Sequence, residues 1–165
     1  MTSSSSPGIS LKQEGISYLA GSELPCVIVN IQRGGPGLGD ISASQADYFQ
    51  AVKGAGHGDY HTIVLAPSSV QEMADLVYDA FHLADKYRNP VMVLGDAQVG
   101  QLMEPVEFHK KLKKNFPQKA WSLTGAEGRK RNIIKSFYPV KGQLEEFNAH
   151  LQRKYKTIEE HEVRY

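Results

Sequence analysis

The chain has 165 residues, a length that fits one domain with a core of useful size. Its formal net charge of +1 provides no global field that would favour nucleic acid or an anionic membrane as a partner. The single cysteine, Cys26, excludes an internal disulfide framework and suits a reducing, cytoplasmic location. No apolar run approaches transmembrane length, so the composition predicts an ordinary globular protein.

The N-terminal segment combines a serine-rich start with a helical pattern. Residues 1–8 predict a flexible lead-in, although their serines are also suited to an N-cap. Apolar residues then recur with helical spacing over residues 9–20, and Gly21 is a plausible stop. No obvious strand precedes this predicted helix.

Three apolar runs alternate with helical segments along the middle of the chain. Residues 27–31, 62–66 and 91–94 predict strands that are covered on both faces. Helices are predicted over residues 44–52 and 70–87, the second with Ser69 and Glu72 spaced as in a capping box. This order predicts an α/β fold: a parallel, doubly wound sheet with helices on both faces.

The sequence changes character beyond Pro105. Residues 109–141 are rich in lysine and arginine and are interrupted by glycine and proline, which predicts an irregular arm. Aromatic residues are sparse and no nucleic-acid motif occurs, which favours a solvated or protein-docking arm. A helix with a narrow apolar stripe follows from residue 144 to about 162. We therefore divide the chain into a domain over residues 1–107 and an arm with a C-terminal helix over residues 108–165.

The strongest candidate site begins where the strand over residues 27–31 ends. Arg33 is followed by a glycine-rich loop over residues 34–39, and open α/β sheets bind ligands at such strand ends. The loop has neither the phosphate-loop nor the dinucleotide-binding glycine pattern. A guanidinium group there suits a carboxylate or a phosphate. The alternative is a structural ion pair with Asp40 or Asp59.

The remaining polar candidates are weaker. His57 and His61 lack a third ligand at a telling spacing, so no metal site is assigned. Asp96 follows the strand over residues 91–94, where it either faces the ligand crevice or caps the next turn. No residue is assigned a catalytic role.

Several motifs resemble the α subunit of 2-oxoacid:ferredoxin oxidoreductases, over most of residues 5–107. They are Gln32-Arg33-Gly34-Gly35-Pro36-Gly37-Leu38-Gly39, Ser44-Gln45-Ala46-Asp47-Tyr48 and Gly56-His57-Gly58-Asp59-Tyr60. The form Gly-Gly-Pro-Gly-Leu-Gly is most similar to the branched-chain, 2-ketoisovalerate type. The resemblance implies the pyrimidine-binding domain of a thiamin-diphosphate enzyme, in an incomplete form.

This resemblance implies an activity and its partners. Such enzymes decarboxylate a 2-oxoacid oxidatively, form an acyl-coenzyme A and pass electrons through iron–sulfur clusters to ferredoxin. Arg33 would hold the substrate carboxylate, while Gly34, Gly35, Pro7 and Gly8 would approach the cofactor. Thiamin diphosphate would be shared with a β subunit, and Mg²⁺ and the clusters would lie on partner subunits. Electron-transfer subunits would be partners too, with ferredoxin reached indirectly.

Three departures from the family pattern shape the expectation. The family usually has Ser-Gly-Pro-Gly where this chain has Ser5-Ser6-Pro7-Gly8, so an altered turn is expected. A Tyr-Pro-Ile-Thr-Pro segment with the glutamate that activates the cofactor does not occur here. A Gly-Asp-Gly motif for diphosphate and Mg²⁺ is absent too, and the resemblance implies that it lies on the β subunit. We therefore expect an internal piece of the subunit that is inactive in isolation. The alternative is a noncatalytic binding or assembly module of the same fold.

Overall fold

A computed structural model describes residues 1–54, 56–108 and 118–164, which contain a four-stranded parallel sheet. The elements in chain order are β1 Thr2–Ser4, α1 Pro7–Gly21, β2 Cys26–Gln32, α2 Tyr48–Val52, β3 Ile63–Leu65, α3 Val70–Tyr87, β4 Pro90–Asp96, α4 Ala97–Gln101 and α5 Gln143–Glu162. The strand order is β1-β2-β4-β3, and the central pair runs from Cys26 beside Pro90 to Gln32 beside Asp96. The predicted parallel α/β architecture is confirmed.

The core has one layer on each face of the sheet, because successive strand residues point to opposite sides. The layer beneath α1 and α2 comprises Ile9, Ile16, Ala20, Ile28, Ala51, Tyr60, Met92 and Leu94. The layer beneath α3 comprises Val27, Ile63, Ala80, Leu83, Ala84, Val91 and Val93, with Ile158 of α5 packed against it. Helices therefore cover both faces, as predicted for a doubly wound sheet.

The prediction of a flexible N-terminus is wrong. Thr2–Ser4 forms β1, which pairs in parallel with β2 so that Ser4 lies beside Asn30. The Lys12 ammonium donates a hydrogen bond to Thr2 Oγ1 at 2.8 Å. The neighbouring strand supplies main-chain partners, so this edge strand needs no apolar pattern of its own. A sheet strand therefore does precede the first helix.

Two short helices also differ from expectation. The helix predicted over residues 44–52 begins only at Tyr48, and α4, which the sequence pattern did not indicate, follows β4 directly. Ser69 caps α3 as predicted, since its hydroxyl accepts a hydrogen bond from the Glu72 amide at 3.1 Å.

The C-terminal helix is confirmed, and a charged cluster joins it to the body. Glu23 follows α1, and its carboxylate lies 2.9 Å from His150 Nε2 and 3.1 Å from Lys154 Nζ, both on α5. Burial alone would raise the pKa of Glu23, but the hydrogen bonds and charges of these two basic residues hold it below its ordinary value of 4.5. The ionised carboxylate thus helps to hold α5 in place.

The described part of the basic arm, residues 118–141, contains neither helix nor strand, as predicted. Residues 109–117, with several of its lysines, lie outside the described residues. Within the described ranges, every helix is too short or too polar to span a lipid bilayer.

Candidate functional site

Three strand ends meet at the carboxyl edge of the sheet, where open α/β folds bind ligands. Arg33 follows β2, a tight turn follows β1, and Asp96 ends β4. The turn after β1 touches the glycine loop, because the Ser6 hydroxyl donates to Gly37 O at 3.4 Å. The structure therefore brings the predicted residues near Arg33 and those near Pro7 to the same edge.

Arg33 lies at this edge, and part of its guanidinium makes no hydrogen bond among the described residues. Its Nη2 donates to Leu38 O at 3.2 Å, while its Nε is buried and has no hydrogen-bond partner in the described part of the chain. No acid of the described residues forms an ion pair with it, so the alternative pairing with Asp40 or Asp59 is not found there. A half-buried guanidinium held on one side by a carbonyl can still bind an anion.

The glycine loop is closed by its own backbone. The Gly34 amide donates to Ser42 O at 3.1 Å, and the Asp40 amide donates to Gly34 O at 3.1 Å. Gly39 has a φ of 62°, and a Cβ there would collide with Gly34 O, so this position requires glycine. A Cβ at Gly35 would meet nothing within 4 Å, so the backbone there lies open to a ligand.

The turn between β1 and α1 is tight. The Gly8 amide donates to Ser5 O at 3.1 Å, and a Cβ at Gly8 would collide with Ser4 Oγ. Ser6 has φ 53° and ψ −129°, the geometry of the first central residue of a type II′ turn, which glycine favours. Ser6 thus retains a glycine-like backbone, at the expense of strain.

The Asp96 carboxylate caps a helix and also binds a residue of the segment that follows β2. Its Oδ1 accepts from the Val99 amide at 2.9 Å at the start of α4, and its Oδ2 accepts from Gln45 Nε2 at 3.1 Å. These two hydrogen bonds hold the pKa of Asp96 below its ordinary value. The capping alternative is therefore confirmed, and the same carboxylate also binds Gln45, six residues beyond the glycine loop.

A second group, which we name the loop anchor, consists of Asn30, Gln32 and Asp47. Asn30 Nδ2 donates to Asp47 Oδ2, and the Asp47 amide donates to Gln32 Oε1, both at 2.9 Å. Asn30 is 0% exposed and Gln32 is 4% exposed. Sequence reasoning missed these residues, although two polar residues alternating within a buried apolar strand were the signal.

The two loop histidines make structural contacts, His57 through its main chain and His61 through its ring. The His57 carbonyl accepts from Ser17 Oγ at 2.7 Å, and the His61 ring packs edge to face on Tyr155, with centroids 4.9 Å apart. Across the described ranges, no cluster of three or more His, Cys, Asp or Glu residues is placed to hold a metal ion.

These features define an α/β protein whose sheet carries, at its carboxyl edge, an open glycine backbone and an arginine that forms no ion pair among the described residues. All of residues 1–165 match the protein family described as "Pyruvate flavodoxin/ferredoxin oxidoreductase, thiamine diP-bdg". The chain belongs to this family, and its fold is the thiamin-diphosphate-binding fold.

Named relatives agree with the family. The chain is 57% identical over all 165 residues to the ketoisovalerate oxidoreductase subunit VorB of Methanothermobacter marburgensis, and covers 47% of that protein. It is 53% identical over 110 residues, 66% of its length, to the 2-oxoglutarate synthase subunit KorA of Methanocaldococcus jannaschii, and covers 30% of it. The chain therefore spans less than half the length of these relatives, which are subunits of 2-oxoacid oxidoreductases.

A solved structure supports the fold. The 2-oxoglutarate:ferredoxin oxidoreductase of Magnetococcus marinus superimposes with a TM-score of 0.76 at 23% identity, over 99% of this chain and 33% of that one. At this identity the likeness concerns the fold.

The carboxyl edge of the sheet fits a ring of thiamin diphosphate better than its magnesium-bound diphosphate group. The space beside the Gly35 backbone is open, and the nearby Arg33 guanidinium keeps donors that suit an anion. A magnesium diphosphate group needs carboxylate ligands, and the described residues bring no such cluster together. At the start of α3, the amides of Ser68 and Val70 already donate hydrogen bonds to the carboxylates of Glu72 and Glu104, so these amides are not free to bind a diphosphate.

Proposed function

We propose that this chain is part of the α subunit of a 2-oxoacid:ferredoxin oxidoreductase that acts on 2-ketoisovalerate. The reaction releases CO₂, joins the remaining acyl group to coenzyme A and passes two electrons to ferredoxin. The observation that carries the proposal is Arg33, a cation at the carboxyl edge with no acid partner in the described part of the chain. Identity to VorB along the whole chain supports the branched-chain substrate.

Arg33 would bind the carboxylate of the 2-oxoacid and orient its carbonyl carbon toward the cofactor. Guanidinium and carboxylate groups match as a bidentate pair, which fixes direction as well as affinity. Leu38, whose carbonyl oxygen holds Arg33, carries an apolar side chain that is 78% exposed. In a site enclosed by the partner subunit, such an apolar neighbour would favour a branched hydrocarbon tail over the second carboxylate of 2-oxoglutarate, which would lose hydration without gaining a partner.

Thiamin diphosphate, when bound, would supply the nucleophilic carbon that the decarboxylation of a 2-oxoacid requires. Pro7, Gly8, Gly34 and Gly35 would lie against it from this chain. A β subunit would supply the rest of the cofactor site with Mg²⁺, and further subunits the iron–sulfur clusters that lead to ferredoxin. We place the assembly in the cytoplasm, which the unpaired Cys26 suits.

The test is to purify the assembly through a tag on this chain and to identify its partner subunits by mass spectrometry. Viologen reduction in the presence of coenzyme A is then measured with 2-ketoisovalerate, 2-oxoglutarate and pyruvate. The proposal predicts β-type and electron-transfer partners and the highest kcat/KM with 2-ketoisovalerate. A stable chain without such partners would instead support a noncatalytic module, and a preference for 2-oxoglutarate would overturn the substrate assignment.

A further inference from the structure

The loop anchor occupies an unusual place in the sheet. Asn30 lies in the central strand β2, beside Leu94 of β4 and two residues after Ile28, both members of the apolar layer under α1. Its Oδ1 is buried and has no hydrogen-bond partner among the described residues. A buried, half-satisfied amide costs stability, and an apolar residue would avoid that cost. Stability therefore does not explain why asparagine stands here.

What Asn30 does make is a bond across the base of the longer segment, residues 33–46, that contains the glycine loop. Its Nδ2 holds Asp47 Oδ2, and two residues further along the same face Gln32 Oε1 holds the Asp47 amide. Asp47 occupies the N-cap position of α2, but its side chain makes no capping hydrogen bond. Its carboxylate is thus used toward β2 and not for the ordinary task of an aspartate at a helix start.

We propose that Asp47 is a positioning residue for Arg33. Arg33 follows Gln32 directly, so the anchor fixes the last residue before the arginine at one end of the loop and Asp47 at the other. Between these ends the loop carries Leu38, whose carbonyl oxygen holds the Arg33 guanidinium at 3.2 Å. The bonds of the Gly34 and Asp40 amides, which close the glycine loop, lie between the anchor and this carbonyl. Opening the base loosens those bonds and thereby moves the carbonyl that orients the guanidinium. This inference rests on the proposed function, in which Arg33 holds the substrate carboxylate.

The first readout is independent of activity. In the Asp47→Ala chain, amide hydrogen exchange at Gly34 and Asp40, which close the loop, should speed up by about tenfold, the factor that corresponds to one lost hydrogen bond. Asp47→Asn keeps an oxygen acceptor for Asn30 and should exchange nearly as wild type does. Asp75→Ala, on α3, is the matched control, and its loop protection should not change.

The second readout uses the assembled complex. Asp47→Ala should raise the KM for 2-ketoisovalerate about ten- to a hundredfold, as expected for a displaced binding group, with a smaller change in kcat and none in the KM for coenzyme A. Asn30→Leu should also raise the KM for 2-ketoisovalerate. It should not lower the free energy of unfolding, since leucine suits the apolar neighbours of residue 30. A purely structural role predicts instead that stability and kcat fall together.

The outcomes separate the two proposals. If the wild-type complex oxidises no 2-oxoacid, the proposed function is refuted. Faster loop exchange in Asp47→Ala would then still show that the anchor holds the loop, but the positioning of Arg33 for a 2-oxoacid would be refuted. If the complex is active but Asp47→Ala leaves both loop exchange and the KM for 2-ketoisovalerate at wild-type values, the positioning role is refuted. Faster exchange with an unchanged KM also refutes it.

Discussion

Replacing Ser6 by glycine should stabilise the chain. Ser6 has φ 53° and ψ −129°, where an L side chain is strained by about 1–3 kcal/mol. Two losses oppose the gain: glycine adds about 0.4–1 kcal/mol of unfolded-state entropy, and the 3.4 Å bond from Ser6 Oγ to Gly37 O, worth at most about 0.5 kcal/mol, disappears. The net expectation is a gain of about 1 kcal/mol.

Urea unfolding of wild type, Ser6→Gly and Ser5→Gly measures this directly. Ser5 is not among the residues with positive φ, so glycine there should only destabilise, by about 0.4–1 kcal/mol. For a chain of this length, Ser6→Gly should raise Tm by about 2–4 °C. If both substitutions lower stability by similar amounts, Ser6 carries no relievable strain and our account of the turn is refuted.

Two further predictions concern the glycine loop and the α5 contact. Gly39→Ala should destabilise the chain more than Gly37→Ala in urea unfolding, since both have positive φ but only the first Cβ would collide with Gly34 O; equal losses would contradict the loop geometry. The lowered pKa of Glu23 means that its ionised form stabilises the fold above about pH 4.5, and that this contribution is lost as the pH falls through the lowered value. The stability difference between wild type and Glu23→Gln should therefore shrink between pH 6 and pH 3, and a difference independent of pH would contradict the contact.

Local patterns allowed much of the fold to be predicted. The apolar runs predict β2, β3 and β4, and the amphipathic pattern predicts α3, with boundaries within a few residues of those observed. The position of Arg33 at the carboxyl edge was predictable for the same reason, since a strand end, an arginine and a glycine loop adjoin in the chain; its role as a site residue stays a prediction.

The missed features depend on distant partners. β1 is a three-residue edge strand whose pairing comes from β2, and its serines carry no strand pattern. The bond between Asn30 and Asp47 joins residues 17 positions apart, so no local window contains both in their spatial relation. Asp96 was predictable only as one of two alternatives, because its tie to Gln45 spans 51 positions.

The central claim is that Arg33 binds the carboxylate of a 2-oxoacid, and steady-state kinetics of the assembled complex test it most directly. Loss of a charge-assisted hydrogen bond of about 1.5–3 kcal/mol predicts that Arg33→Ala lowers kcat/KM for 2-ketoisovalerate by about ten- to a hundredfold or more. The kcat/KM of Arg33→Lys should lie between those of wild type and Arg33→Ala. Arg131→Ala, on the exposed arm, should have the kcat/KM of wild type. Arg33→Ala with a kcat/KM equal to that of wild type would contradict the claim.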